Sequence, residues 1–334
     1  MMEVPMFIMV LEYFGFFIAV SANSLLIYLI KTQSRKNIGS YKYLMLCFAV
    51  FSICYSILDM LAQPAMHAHK NAYVVICTSW FKYNHILAPI IISTYCSSYG
   101  LTLVLLAIHF IYRFIAINQP TKMYYFQYPH VLIWPAIFMT TAIFWWCDVH
   151  FLLSSNPMFN EYMRETIALT YDEDVDQLSY VGPLFYIRNS DGVKEIQWKS
   201  CIGIINVLIV SVITLTTIIT LGNALRKKNT ATQNMVSEKT LRIQKQLFFS
   251  LSAQTVVPMI FMYTPTYIIY ICPLFGIEIG SLANMTSLCL AVYPILDPLI
   301  VMYIIRDYRD YIIRKVCCRK SPAVGGTTSS SVHG

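Results

Sequence analysis

Polar and ionisable residues set inside long apolar runs are the groups that can do chemistry in this chain. Such surroundings tolerate them only with partners or a water-filled cavity. Asn23, Asp59, Asp148, His150, Asn206, Asn284 and Asp297 are of this kind, and His109 is the histidine deepest inside a run. A metal hydrolase or a protease needs several His, Asp or Glu side chains converging on one point, and His109 has no companions at ligand spacing. No Cys-x-x-Cys pair repeats at zinc spacing, and the ten cysteines are too dispersed for a small disulfide scaffold. The expectation is therefore no enzyme, no metal and no cofactor.

A different constellation points to binding. His85, Ser93, Thr94 and Tyr95 gather near the start of the third apolar run, and Tyr263, Thr266 and Tyr267 lie in the sixth. Trp80, Tyr83, Trp145 and Trp146 fall at similar depth. Some of these belong to the aromatic belt of a membrane interface. The others suit a mostly apolar cavity with a few directing hydrogen bonds. His85, Thr94, Tyr95, Tyr263, Tyr267 and Asn284 are the candidate ligand-cavity residues.

The elements that must position them follow from hydropathy. The chain of 334 residues is 57% hydrophobic and only 12% charged, against about 25% charged in an ordinary soluble domain. A membrane helix needs about 20 mostly apolar residues to cross a core about 30 Å thick with its backbone bonds closed internally. Seven segments qualify: 12–30, 43–66, 86–111, 131–150, 201–221, 247–271 and 279–304. The fold class expected is an all-α seven-helix bundle over 12–304, after a short extracellular segment, 1–11. Its first run has no cleavable-signal pattern. Asn23 is expected to bond across helices. Pro258 and Pro265 in the sixth segment, and Pro294 and Pro298 in the seventh, remove backbone donors and favour kinks suited to a two-state switch.

Most of the 24 Lys and Arg residues fall in alternate connections: Lys31 to Lys42, Arg113 to Lys122, Arg226 to Lys245, and Arg306 to Lys320. Short basic loops stay in the cytoplasm, which puts the N-terminus outside and the C-terminus inside. The net charge of +7 is thereby explained without nucleic acid, for which no basic patch with interleaved aromatics exists. The long loop 151–200 lies outside. It carries the acidic run Asp172, Glu173, Asp174, Asp176, and is long enough for its own helix or hairpin over the bundle mouth. Leu184 to Trp198 is the hairpin candidate. Residues 305–320 form an amphipathic stretch expected to lie on the inner leaflet. Cys317 and Cys318 beside it are candidate palmitoylation sites. Residues 321–334 read as a disordered tail. Cys77 and Cys201 are a possible disulfide, with Cys147 an alternative partner.

Seven helices, basic inner loops and Ile111-Tyr112-Arg113-Phe114 ending the third helix together resemble the nematode serpentine chemoreceptors of the Str class, kin of the diacetyl odorant receptor. The likeness runs from Gly15-Phe16-Phe17 and Asn23-Ser24-Leu25 to Tyr293-Pro294-Ile295-Leu296-Asp297-Pro298-Leu299 and the Tyr303 to Arg309 segment. It implies a receptor in the plasma membrane, in cilia of sensory neurons, that binds a small-molecule odorant and activates a heterotrimeric G protein. It places Arg113 at the G-protein face, with Tyr112, Arg226, Arg242 and Lys245 around it, and gives Asp297-Pro298 and Asn23 the roles of packing and switch elements. Three departures stand out. Tyr112 replaces the acid usual before the arginine, no tryptophan stands near Pro258, and Asp59 lies too far along for the usual sodium site. The alternative is a ligand-gated channel or small-molecule transporter. Against it stand the absence of an inverted repeat, a glycine-rich filter or a charged ring.

Overall fold

A computed structural model describes residues 6–34, 39–188, 193–231 and 238–316. Among the described residues, seven helices are long and apolar enough to cross a membrane. They are α1 (Met6–Gln33), α2 (Tyr41–Ala62), α3 (Leu87–Asn118), α4 (Ile133–Leu152), α6 (Trp198–Ala231), the pair α7 (Glu238–Pro258) and α8 (Thr264–Leu274), and α9 (Asn284–Ile304). A π turn, Met259–Tyr263, joins α7 to α8, directly after Pro258 withdraws its backbone donor. The helix α10 (Arg306–Val316) follows α9.

The third helix is the hub. Its most apolar window is 72% buried, against 6% for α4, which lies on the periphery. The approach of α4 to α3 requires Gly100, because a Cβ there would lie 2.0 Å from the Trp145 ring. At the other end of the chain, Pro298 cannot donate to the carbonyl of Pro294 one turn earlier. Asn23 Nδ2 takes that place at 2.9 Å, and also donates to Ala19 O at 2.9 Å. The expected interhelical role of Asn23 thus has a specific cause.

One end of the bundle carries the basic connections. The other end is capped by folded structure. Strands β1 (Pro64–His69), β2 (Ala72–Cys77) and β3 (Tyr180–Val181) form an antiparallel sheet in the order β1-β2-β3, with Pro64 opposite Cys77 and Val75 opposite Val181. Above it lies α5 (Pro157–Tyr171), capped by Asn156, whose Oδ1 accepts from Phe159 N at 2.9 Å. Phe159, Met163, Ile167 and Tyr171, spaced four apart, form its buried face. The sheet is a middle layer. Ala72, Val74 and Ile76 pack with α5, while Tyr73, Val75 and Cys77 join the bundle core. That is the period-two alternation of a strand buried on both sides. A short hairpin, β4 (Tyr186–Arg188) with β5 (Lys194–Ile196), completes the long loop, and its turn lies outside the described residues.

Several boundaries differ from the sequence expectation. The second helix stops at Ala62 instead of continuing to residue 66, because Gln63 turns left-handed (φ 43°) and Pro64 opens β1. The third continues to Asn118, and the fifth span runs to Ala231. The first helix takes in Met6 to Leu11.

Candidate functional site

Beneath the cap, α3, α4, α6 and α8 enclose a cavity of about 30 Å³, whose walls include Tyr73, Cys96, Tyr99, Trp145, Ile204 and Tyr270. Gly182 in its roof sits where a Cβ would lie 2.0 Å from the Tyr73 carbonyl oxygen. The space holds little more than a water or two, far below the 300 Å³ or more of a ligand pocket. Tyrosines fill the surroundings. Tyr99 and Tyr263 stand 4.9 Å apart, and each hydroxyl donates to the other helix's backbone, Tyr263 to Tyr99 O at 3.2 Å and Tyr99 to Met262 O at 3.4 Å. Tyr267 lies 6.2 Å from Tyr263, and Tyr55 stacks on Tyr95 at 5.6 Å.

Of the six cavity residues expected from sequence, the fold brings Tyr95, Tyr263 and Tyr267 into this tyrosine cluster. The other three sit elsewhere. His85 is exposed in the turn ahead of α3. Thr94 faces α4, where it accepts from Trp146 Nε1 at 3.1 Å. Asn284 is a latch of the cap: its Oδ1 accepts from Met66 N at 2.6 Å and its Nδ2 donates to the Tyr171 hydroxyl at 3.2 Å. Tyr73, Tyr99 and Tyr270, not singled out from sequence, line the cavity. Asp148 and His150 bond inward rather than to an interface. Asn206 Nδ2 donates to Asp148 Oδ1 at 2.7 Å, and His150 Nδ1 meets Ser93 Oγ at 3.1 Å.

Further contacts hold the cap down. Ala68 and Gly280 exchange backbone hydrogen bonds, at 2.9 and 3.3 Å. His69 Nδ1 pairs with Glu278 at 2.8 Å, and Lys82 Nζ with Glu173 at 2.8 Å. Burial acts to lower the Lys82 pKa, but the Glu173 carboxylate outweighs it and holds the ammonium in its charged form. Burial pushes the His67 pKa down to about 4, with His69 adding to the effect, and His67 Nε2 meets Thr166 Oγ1 at 2.9 Å. Asp176 pairs with Arg164 at 2.7 Å. Much of the acidic run is therefore committed to pairing within the cap.

At the basic end, Arg113 is only 6% exposed. Its Nη2 donates to Gln244 O of α7 at 3.2 Å, and its guanidinium lies 5.4 Å over the Tyr41 ring. Tyr112 packs between Tyr41 and Phe126. His109 Nε2 donates to Leu44 O at 3.1 Å, a carbonyl being an acceptor only, which leaves Nδ1 to accept from the Tyr41 hydroxyl at 3.3 Å. Arg226, Arg242 and Lys245 are exposed on α6 and α7, and Arg242 pairs with Glu238 at 3.1 Å. Higher in the bundle, Gln254 Nε2 donates to both Asp297 oxygens at 3.1 Å. Asp297 is legible in the sequence as an acid in an apolar run, and its partner Gln254 is not singled out there. An amide in the middle of an apolar helix was the available signal.

Cys77 and Cys201 are both free thiols. Cys77 Sγ lies 3.5 Å from Ser79 Oγ, and Cys201 Sγ contacts Phe185 O. The expected bridge is not formed, nor is Cys147 paired. Among the described residues, no group of His, Cys, Asp and Glu is arranged to hold a metal. Cys317 and Cys318 lie outside the described residues.

The arrangement of seven helices is that of rhodopsin. Squid rhodopsin superposes with a TM-score of 0.55 over 96% of this chain and 82% of its own, at 13% identity. The fold is thus the rhodopsin-like bundle of seven apolar helices. Residues 8–313 match the serpentine type seven-transmembrane G-protein-coupled chemoreceptor family Str. Serpentine receptor class r-10 of Caenorhabditis briggsae is 32% identical over 95% of this chain and 92% of its own. The protein of that name in Caenorhabditis elegans is 33% identical over 90% and 88%. The chain belongs to the Str family of serpentine chemoreceptors, a family of receptors and not of enzymes.

Proposed function

We propose that the chain is an odorant receptor whose capped end faces outside and whose basic end meets a heterotrimeric G protein. The positive-inside rule supports that orientation. α10, with Arg314 and Lys315 in its last turn, then lies along the inner leaflet and contacts membrane lipid. Membership of a chemoreceptor family supports a small molecule as agonist, and the receptor is placed in the plasma membrane of sensory neurons, in cilia.

The observation that carries the reading is the bond from Arg113 to the Gln244 carbonyl. It ties α3 to the basic end of α7 while the cavity beneath the cap is too small for a ligand. Both ends are therefore in the closed packing. Tyr112 stands where an acidic partner is usual, so the lock consists of a carbonyl and the Tyr41 face instead of an ion pair. Swinging α7 outward breaks the Arg113 and Gln254 bonds, each worth roughly 1.5–3 kcal/mol as hydrogen bonds involving a charged group. An agonist shifts the equilibrium only by binding the open packing better than the closed one. It expands the cavity between α3, α4, α6 and α8, and α7 moves as one body with α8 about the Met259–Tyr263 π turn.

The test is G-protein activation in cells expressing the chain against a panel of volatile and water-soluble molecules, with Arg113→Ala beside it at matched surface expression. Activation by one compound, lost in the variant, is the expected result. Activation that survives the substitution removes Arg113 from the coupling face. A ligand-evoked current without G-protein activation overturns the receptor mechanism.

A further inference from the structure

Next to the cavity, α1 and α2 place two acids in the half of the bundle under the cap. Glu12 of α1 lies near enough to Asp59 of α2 for their charges to interact. Among the described residues, no Lys, Arg or His lies in that half of α1, α2, α3, α8 or α9. Asp59, Tyr55 one turn before it and Tyr95 across on α3 are 9%, 2% and 1% exposed. Asp59 Oδ1 and the hydroxyls of Tyr55 and Tyr95 have no partner at full hydrogen-bond distance, although the Tyr95 hydroxyl lies close to both Asp59 and Tyr55. Three buried polar atoms without partners in one place are costly unless something completes them. Cys96, which lines the cavity, acts electrostatically on Tyr55, and Tyr55 acts on the cavity-lining Tyr73, so the group adjoins that space.

We propose that Asp59, Tyr55 and Tyr95 form the headgroup site for a primary ammonium, and that the agonists are small alkylamines whose tails expand the adjoining cavity. This deepens the receptor reading and rests on it. An ammonium has three N–H donors and no acceptor, which matches one carboxylate oxygen and two hydroxyl oxygens. The stacked rings of Tyr55 and Tyr95 add faces that attract a cation. A neutral alcohol of the same shape gains neither the charge pairing nor the three donated bonds.

The experiment measures binding directly, as thermal stabilisation of the purified full-length chain in lipid nanodiscs by hexylamine, by hexanol and by Na⁺ at constant ionic strength. Hexylamine is expected to raise the Tm with saturation, and hexanol and Na⁺ to leave it unchanged. Asp59→Asn should weaken hexylamine by roughly 30-fold or more, as for truncation of a buried charge pair. Tyr95→Phe, which keeps the stacked ring, should weaken it by about tenfold, one hydrogen bond to a charged group. Equal stabilisation by hexanol, an unchanged affinity in Asp59→Asn, or a response to Na⁺ alone overturns the proposal. Should Asp59→Asn fail to fold, an unaltered affinity in Tyr95→Phe overturns it instead. Because binding is read without a G protein, bound amine with no activation refutes the coupling mechanism and leaves this site standing.

Discussion

Replacing Gln254 with leucine tests the switch where its geometry is most explicit. Leucine has similar volume and keeps the packing between α7 and α9, but it removes both bonds from Nε2 to the Asp297 oxygens at 3.1 Å. Asp297 is 1% exposed, so water does not replace the amide in the closed packing. When α7 swings away, the carboxyl group gains access to water and the loss matters less. The closed packing should therefore lose about 2 kcal/mol relative to the open one, within the range for hydrogen bonds to charged groups. That multiplies the open-to-closed ratio by about 30. A receptor open about 1% of the time without ligand becomes open about one-fifth of the time. The assay is ligand-free G-protein activation per receptor at the cell surface, with Asp297→Asn as a companion that keeps one acceptor for the amide. Basal activity should rise about twentyfold in Gln254→Leu and much less in Asp297→Asn. Unchanged basal activity in Gln254→Leu at equal surface density would refute the claim that this contact distinguishes the two packings.

Asn284→Ala strands the Met66 N–H beneath the cap, at about 1–3 kcal/mol, and hydrogen exchange in β1 and α5 should accelerate while the centre of α3 stays protected. The His67 pKa of about 4, depressed by burial from 6.5, means that the cap loses stability as pH falls from 6.5 towards 4, by on the order of 1–2 kcal/mol at pH 5. Exchange in α5 should rise over that window and lose its pH dependence in His67→Gln. Gly100→Ala drives a methyl into the Trp145 ring and should lower stability by about 1–3 kcal/mol. Gly15→Ala, whose methyl would lie 3.8 Å from its nearest neighbour, should leave the Tm nearly unchanged.

The seven spans were legible because bilayer solvation leaves a long, low-charge imprint in sequence. Their ends were not, because an apolar residue in a strand under the cap reads like one in a helix. Ala65 and Met66 extended the second segment on hydropathy alone, although Pro64 argues against helix there. The β1–β2 hairpin was missed for the same reason, since both faces of Ala72 to Cys77 are buried and no polar alternation marks it. Asn23 and Asp297 were visible as polar groups in apolar runs, yet their partners were a backbone carbonyl and a side chain 43 residues away. Depth alone places Asn284 with the cavity residues and cannot say that it faces β1. The tyrosines around the cavity were only partly legible. Tyr is as common at a membrane interface as in a buried cluster, and spacing does not separate the two.

The amide of Asn23 also bears on how the protein is made. The first span to leave the ribosome carries the donor that a carbonyl in the last span requires. Until α9 enters the membrane, Asn23 lacks that partner, and α9 alone carries a carbonyl at Pro294 that its own backbone cannot serve. Chains truncated before the seventh span keep the bond to Ala19 but should expose the other amide N–H to lipid or to the insertion machinery, and be held back from export. Supplying the seventh span as a separate polypeptide should release them only when residue 23 is asparagine.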